Sequence, residues 1–573
     1  MIASSFYYEG PMQNRLEQWK AFKNLDPDLR HLLDTMNEAD LKDAFYTDLE
    51  FGTAGIRGVL GAGPNRLNIY TIRKANVAFA QYLLQFEDIL SKGVAIAYDN
   101  RFMSKEFALE SAKVLAMHHI PSYVFTSLRP TPELSFAVRY LKCSGGIVIT
   151  ASHNPKEYNG YKVYDRNGCQ LVPHLIDQVI EKLKAIPDEL SIEVNLDDSQ
   201  KALIHWIDEP IDTAYIQEVL KIQLRPKQDK SKVKIVFTPQ HGTGYMPVMR
   251  VMQEAGYQII PVTAQCDPDP AFSNTLTPNP EEKAAYTMAI EVATQHKAEG
   301  LITTDPDADR IGIAVRHHDE YVLLTGNQTA AILIEYLFST KTQLNSMPFH
   351  PVMFNTIVTS DLGEKVAKHY GVETEKTLTG FKFIGNRIEH YQQTKEKTFV
   401  LGYEESYGYL FEPFVRDKDA IQASLMIAEC ITYYHHLNMT LVDVLNNLYT
   451  QYGCYLEQQV SLTLKSESGA IKLKEIMNHF RTETISSFAG LKVITKEDYL
   501  LGQRQSASIT TKLEGFLSSD VIKYMLEDGS WLAIRPSGTE PKCKFYFCIL
   551  DKNPELCQKK FEALKLDLEK HYQ

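Results

Sequence analysis

Gly145-Gly-Ile-Val-Ile-Thr-Ala-Ser-His-Asn-Pro-Lys-Glu-Tyr-Asn-Gly160 drives an apolar run into a polar turn. Ile147, Val148 and Ile149 read as a buried strand, and the Ser152-His-Asn-Pro155 that follows breaks it, because proline cannot continue a hydrogen-bonded ladder. A strand that ends in this way holds the Ser152 hydroxyl at the carboxyl edge of a sheet, where open α/β folds place their ligands. Taken alone, the four residues are more often an ordinary turn than a nucleophile.

Thr304-Asp-Pro-Asp-Ala-Asp-Arg310 follows another apolar run, Gly300-Leu-Ile-Thr303, and so also sits just past a strand. Asp305, Asp307 and Asp309 place three carboxylates at alternate positions. Such self-repelling charge calls for a cation, and an all-oxygen set suits a hard ion, Mg²⁺ if a phosphate oxygen shares it. The competing reading is a solvated acidic turn. Arg310 follows at once and offers the fork that recognises phosphate. The glycine and distal glutamate of an EF-hand loop are missing.

Two later segments repeat the placement. Thr398-Phe-Val-Leu401 leads into Gly402-Tyr-Glu-Glu-Ser-Tyr-Gly408, where Glu404 and Ser406 are acceptors suited to sugar hydroxyls. Trp531-Leu-Ala-Ile-Arg-Pro-Ser-Gly-Thr-Glu540 follows a hairpin signal at Asp528-Gly529. There Arg535, Ser537 and Thr539, with backbone opened by Gly538, can converge on one phosphate.

The chain has 573 residues, 44% of them hydrophobic, enough for several cores. A formal charge of −12 argues against nucleic acid or an anionic membrane as partner. The eight cysteines form no C-x-x-C pair and no metal spacing, which fits a reducing cytoplasm. Met1 to Gly10 lacks the basic start and apolar core of a signal peptide, and no stretch is long and apolar enough to span a membrane. Strand-then-helix units begin at Val94, Lys232 and Pro351, with Ser104 a candidate cap for the helix after the first. Junctions are expected near 207–211, Thr325-Gly326 and Gly453.

Phe51-Gly-Thr-Ala-Gly-Ile-Arg-Gly58, Thr150-Ala-Ser-His-Asn-Pro155, Asp305-Pro-Asp-Ala-Asp-Arg310, Gly402-Tyr-Glu-Glu-Ser406 and Arg535-Pro-Ser-Gly-Thr539 together resemble the α-D-phosphohexomutase superfamily over essentially the whole chain. The lead-in from Trp19 to Glu50, Thr379-Gly-Phe-Lys-Phe-Ile-Gly385 and the Asp-Pro-Asp form of the metal loop look most like its long bacterial phosphoglucomutases, a group related to the eukaryotic phosphoglucomutases and phosphopentomutases. The resemblance implies three similar α/β domains with mixed sheets and a C-terminal α+β domain, set around a central active-site cleft. The expected domains are 1–208 with the phosphoserine loop, 209–324 with the metal loop, 325–455 with the sugar loop and 456–573 with the phosphate loop.

It further implies a phosphorylated Ser152 that passes its phosphoryl to a sugar phosphate and recovers another from the resulting glucose 1,6-bisphosphate. Mg²⁺ would sit among Asp305, Asp307, Asp309 and the Ser152 phosphoryl oxygen. Lys162 and Arg57 are implied as catalytic residues beside the transfer site, Lys162 against the alternative of a solvated surface lysine. His153 joins them with a structural or phosphate-contact role, because a side chain next to serine in sequence generally points elsewhere. Substrate binding falls to Arg310, Thr379, Gly380, Glu404, Ser406, Lys418, Arg535, Ser537, Gly538 and Thr539. A histidine that some phosphomannomutases carry after the sugar loop is Tyr407-Gly408 here, which leans away from mannose. Glucose 1-phosphate and glucose 6-phosphate are the expected substrates. The alternatives are a phosphopentomutase acting on ribose or deoxyribose 1-phosphate, and a catalytically silent phosphosugar-binding protein.

Overall fold

The computed structural model describes residues 10–52, 55–464, 469–536 and 542–572. The chain forms two compact units: Met1–Ala314 with Gly385–His390 and Gly408–Ala428, and Val315–Ile384 with Tyr391–Tyr407 and Glu429–Gln573.

The first unit is built on a seven-stranded sheet in the order Phe51–Gly52, Gly55–Val59, Tyr158–Asp165, Gly145–Ile149, Val94–Tyr98, Ser122–Phe125, Ile204–Ile207. The last four run parallel, and Tyr158–Asp165 returns antiparallel to Gly145–Ile149 with Val148 opposite Lys162. All five residues of Gly145–Ile149 are buried, as a strand covered on both faces requires. Burying Ile147 or Ile149 stabilises by roughly 1.5–3 kcal/mol, so a slip in register that displaced either would be strongly disfavoured. Gly160 lies opposite the end of that strand, where a Cβ would strike the Thr150 carbonyl. Its missing side chain lets the two strands close around the intervening turn. Helix Ser104–Met117 departs from the expected start, because the Ser104 hydroxyl donates to Asp99 Oδ1 at 2.7 Å instead of capping the helix.

Three N-terminal helices, Gly10–Ala21, Pro27–Thr35 and Glu38–Phe45, pack Trp19, Leu33 and Phe45 against Tyr70. The buried Trp19 donates its Nε1–H to Glu189 at 2.9 Å. Also in this unit, Gly300–Thr304, Lys234–Thr238 and Gln258–Pro261 run parallel side by side.

In the second unit Pro351–Thr356 lies parallel to both Glu373–Thr377 and Thr398–Glu404. Helix Gly326–Gln343 starts at a Thr325 cap, and Gly453, at φ 95°, ends helix Leu441–Tyr452. An antiparallel sheet then runs in the order Cys454–Thr463, Lys542–Asp551, Trp531–Pro536, Ile522–Leu526, Leu491–Asp498, Gln503–Ser506, Ile509–Lys512. Asp528-Gly529 makes the expected hairpin between two of these strands, with Gly529 at φ 88°. Helices Gly469–Thr482 and Pro554–Glu569 cover the sheet through Phe480, Leu564 and Leu568. The mixed α/β sheets and the antiparallel last sheet agree with the expected fold class. Among the described residues no helix is long and apolar enough to cross a membrane.

Candidate active site

Ser152 sits in the turn after Gly145–Ile149 with φ 52°, a left-handed conformation that costs a non-glycine residue roughly 1–2 kcal/mol. Its N–H donates to Thr150 Oγ1 at 2.9 Å, and its hydroxyl donates to Asp305 Oδ2 at 2.7 Å. His153 Nδ1 lies 3.1 Å from Ser152 Oγ. The expectation that His153 points elsewhere therefore fails, because the left-handed turn breaks the alternation that separates neighbouring side chains in a strand. Burial, followed by the charges of Arg310, Arg57, Arg101 and Lys162, holds the imidazole well below its ordinary range. Arg57 Nη1 donates to Asn154 Oδ1 at 2.8 Å, on the same turn.

The metal loop is fixed from several sides. Asp305 Oδ1 accepts the N–H groups of Asp309 and Arg310 at 3.2 and 3.0 Å, which folds the loop back on its first carboxylate. Thr131 donates its N–H to the Asp307 carbonyl at 2.9 Å and its hydroxyl to Asp307 Oδ2 at 2.8 Å. Thr243 donates its N–H and hydroxyl to the Pro306 carbonyl at 2.7 and 2.9 Å.

Carboxylate oxygens of Asp305, Asp307 and Asp309 lie within 4.8 Å of one another, all buried. Asp307 Oδ1 and Asp309 Oδ1 have no hydrogen-bond partner. Orphaned anionic oxygens beside a third carboxylate fit a hard cation. Burial, then the Asp307 and Asp309 charges, drives Asp305 well above the usual carboxyl range. Burial pulls Asp307 the same way, but the Lys162 ammonium and the Thr131 hydroxyl overcome it and hold Asp307 low.

Lys162 is buried, so the solvated-lysine alternative does not hold. Its Nζ lies 3.1 Å from Asp307 Oδ2 and 3.7 Å from Asp309 Oδ2. Burial would depress this amine, but the two aspartates raise it. Lys418 Nζ approaches Asp309 Oδ2 at 3.0 Å and Asp417 Oδ1 at 3.2 Å. Tyr164 donates its hydroxyl to Asp417 Oδ2 at 2.7 Å and steadies that second lysine. Arg310 Nη1 donates to Glu281 Oε1 at 2.7 Å. The first unit thus brings together Ser152, His153, Arg57, Lys162, Asp305, Asp307, Asp309, Arg310 and Lys418.

The second unit gathers the segments expected to contact the sugar. Gly380, at φ 119°, precedes helix Phe381–Thr394, and its N–H donates to Glu404 Oε1 at 2.8 Å. Thr379 Oγ1 is buried without a hydrogen-bond partner. Glu405 is held apart, its Oε2 accepting from the hydroxyls of Thr356 at 2.8 Å and Thr359 at 3.0 Å. Ser406 follows in the turn, before Tyr407 at φ 67°. Arg535 lies near the end of strand Trp531–Pro536, opposite Lys544. Ser537, Gly538 and Thr539 fall outside the described residues.

The family models for phosphoglucomutase/phosphomannomutase alpha/beta/alpha domains I, II and III match residues 48–189, 213–318 and 325–452, and the C-terminal domain matches 491–547. The phosphoglucomutase of Staphylococcus aureus strain MSSA476 is 38% identical over 540 residues, covering 94% of this chain and 96% of its own length. The chain belongs to the phosphoglucomutase/phosphomannomutase family. The phosphoglucomutase of Staphylococcus saprophyticus is 36% identical over 93% of this chain and 96% of its own. In fold, the chain matches the crystal structure of a putative phosphomannomutase from Thermus thermophilus with a TM-score of 0.66 at 21% identity, over 91% of this chain and 99% of that one. Membership makes the chain an isomerase, a mutase.

Family motifs did not disclose every residue that shapes the site. Thr131 was missed, although Pro130-Thr-Pro-Glu133 reads as a helix start just past a strand, the same carboxyl-edge signal that singled out Ser152. Glu281, Asp417 and Tyr164 carried no comparable signal, since each acts on a partner far away in sequence.

Proposed function

We propose that the chain interconverts glucose 1-phosphate and glucose 6-phosphate through a phosphorylated Ser152 and a glucose 1,6-bisphosphate intermediate. The observation that carries this reading is the Ser152 hydroxyl held 2.7 Å from Asp305 beside the unpartnered oxygens of Asp307 and Asp309. Moving a phosphoryl between two ends of one sugar needs a reservoir, and this is the hydroxyl best placed to be one.

A phosphoserine brings about −1.5 to −2 charge into a buried site. Arg57, Arg310, Lys162 and Lys418 offset it with fixed cations already in place, which spares reorganisation during transfer. Asp305, Asp307 and Asp309 would hold a Mg²⁺ ion, which would supply further charge neutralisation at the phosphoryl oxygens. His153, kept neutral by its surroundings, can accept the Ser152 proton when the serine is rephosphorylated. Lys162, raised by its two aspartates, stays a cation facing the transferring group.

Glu404 and Ser406, with Thr379 and Gly380, are assigned the sugar hydroxyls; the orphaned Thr379 oxygen supports this. Arg535, with Ser537, Gly538 and Thr539, is assigned the phosphate that is not being transferred. These roles divide the chain at 1–208, 209–324, 325–455 and 456–573. The eight cysteines, all free and buried, support a cytoplasmic setting. Coupled assays on glucose 1-phosphate and ribose 1-phosphate test the reading. Glucose 1-phosphate should have the higher kcat/KM, and the reverse order would make the chain a phosphopentomutase.

A further inference from the structure

One guanidinium, Arg101, carries most of the backbone of the Ser152 turn. It follows strand Val94–Tyr98 in Asp99-Asn-Arg101 and is almost completely buried. Its Nη2 donates to the carbonyls of Ser152 at 2.6 Å and Asn154 at 2.5 Å. Its Nη1 donates to those of Pro155 at 2.8 Å and Tyr158 at 3.1 Å. Nε faces Asp99 Oδ2 at 3.3 Å, and the Phe272 ring lies 5.2 Å from the guanidinium carbon. Asp99 is itself fixed, Oδ1 accepting the Arg101 N–H at 2.9 Å and the Ser104 hydroxyl at 2.7 Å.

Other groups hold single points of the turn: the Leu60 N–H donates to the Glu157 carbonyl at 2.8 Å, Arg57 to Asn154 Oδ1 at 2.8 Å, and Ser152 to Thr150 and Asp305; among the described residues only Arg101 ties four of its carbonyls together. Between Ser152 and Tyr158 its own backbone bonds are Asn154 N–H to Ala151 and Tyr158 N–H to Pro155, each at 3.1 Å. The Ser152 carbonyl, which is buried, would cost roughly 1–3 kcal/mol without its donor, and Ser152 adds the strain of its positive φ. The four-pronged contact therefore over-determines a conformation that the segment would not keep alone. That conformation is what aims Ser152 Oγ at Asp305.

We propose that Arg101 is a positioning residue for phosphoryl transfer: by gathering four carbonyls of the 152–158 turn it fixes the line from Ser152 Oγ to the metal loop, and it touches neither substrate nor reacting oxygen. The inference rests on the reading that Ser152 carries the phosphoryl. Charge alone does not do this work. A lysine keeps the charge but, with a point ammonium, cannot span four carbonyls in one plane. Misplacing a reacting atom by about 1 Å costs of order a hundredfold in rate, whereas substrate binding through other residues is untouched.

Arg101→Lys, Arg101→Met and Asp99→Asn, each checked by circular dichroism and thermal melting, would be compared with wild type and Ser152→Ala on glucose 1-phosphate. Each folded Arg101 variant should lose about a hundredfold in kcat, with KM within about threefold. Lysine should rescue little better than methionine. Single-turnover transfer from the phosphorylated enzyme should slow by the same factor as kcat. Asp99→Asn, which keeps both Oδ1 contacts, should lose about tenfold in kcat at unchanged KM. Near-wild-type kcat in a folded Arg101→Lys would overturn the proposal, as would a fall in activity that merely followed the folded fraction. Should neither Arg101 variant fold, Asp99→Asn decides, and unchanged kcat there counts against it. Normal turnover by Ser152→Ala would instead defeat the phosphoserine reading, whatever Arg101 does.

Discussion

The Ser152 turn and the Glu404 loop both end a strand of an α/β sheet, yet the first is knit by ion pairs among carboxylates, lysines and an arginine, whereas backbone and hydroxyl donors bond the carboxylates of the second. Around Ser152, carboxylates, lysines and arginines already pair: Asp307 with Lys162 and Thr131, Asp309 with Lys418, Arg310 with Glu281. In the Glu404 loop the Gly380 N–H reaches Glu404 Oε1 and the hydroxyls of Thr356 and Thr359 reach Glu405, while the nearby Thr379 Oγ1 has no hydrogen bond. The contrast suits the chemistry proposed for each loop. A transferring phosphoryl needs fixed charges that do not move during reaction, so the protein holds them against one another. A sugar is recognised through its hydroxyls, which call for directed donors and acceptors more than for net charge.

The comparison breaks first at the metal loop. Asp307→Ala removes one of the three carboxylates proposed to hold Mg²⁺ and strips Lys162 of its nearest partner, so kcat should fall by of order 10²–10³. Chelator should abolish wild-type activity and added Mg²⁺ restore it; full turnover in chelator would contradict the role given to the three aspartates.

Arg535 makes a sharper contrast, because a contact kept through ground and transition states alike acts on binding. Arg535→Ala should raise KM by roughly ten- to a hundredfold, at ~1.4 kcal/mol per decade, with a smaller effect on kcat. An unchanged KM in steady-state kinetics would remove Arg535 from the phosphate site.

The Glu404 loop should discriminate between sugars and the Ser152 turn should not. Glu404→Ala is expected to lower kcat/KM for glucose 1-phosphate several-fold more than for ribose 1-phosphate, within the ~1–3 kcal/mol cost of an unpaired buried group. Equal losses on the two sugars would show that Glu404 is structural.

How far each region could be read from sequence follows the same division. Ser152 and the aspartates stood out because strand ends and alternating carboxylates are local patterns. Thr131, Asp417 and Glu281 did not, because each supports the site through a contact that only tertiary folding creates. His153 was misread for a related reason: its direction depends on a left-handed Ser152 that no residue type at that position announces. The strand-then-helix units and the Asp528-Gly529 hairpin were legible as local patterns, whereas strand order within each sheet depends on long-range pairing that no local pattern announces. The capping role given to Ser104 was not, since Asp99 outcompetes the helix for its hydroxyl.

The smallest expected effect concerns Glu133, fully buried beside Asp212, whose carboxyl is driven well above its ordinary 4.5 by burial and then by Asp212. The folded state therefore holds a proton that the unfolded state releases, and stability falls as pH rises from about 4.5 toward the folded value. Glu133→Gln should flatten that slope, raising Tm by about 1–3 °C over wild type at pH 9 and leaving it unchanged at pH 4.5. Parallel melting curves across that range would refute it.

Intact mass after incubation with glucose 1,6-bisphosphate tests the phosphoserine most directly. Wild type should gain one phosphoryl group, mapped to Ser152 and lost on mixing with excess glucose 1-phosphate, while Ser152→Ala should stay unmodified and inactive. A Ser152→Ala protein that turned over at near-wild-type rate, or wild type that carried its phosphoryl elsewhere, would contradict the account.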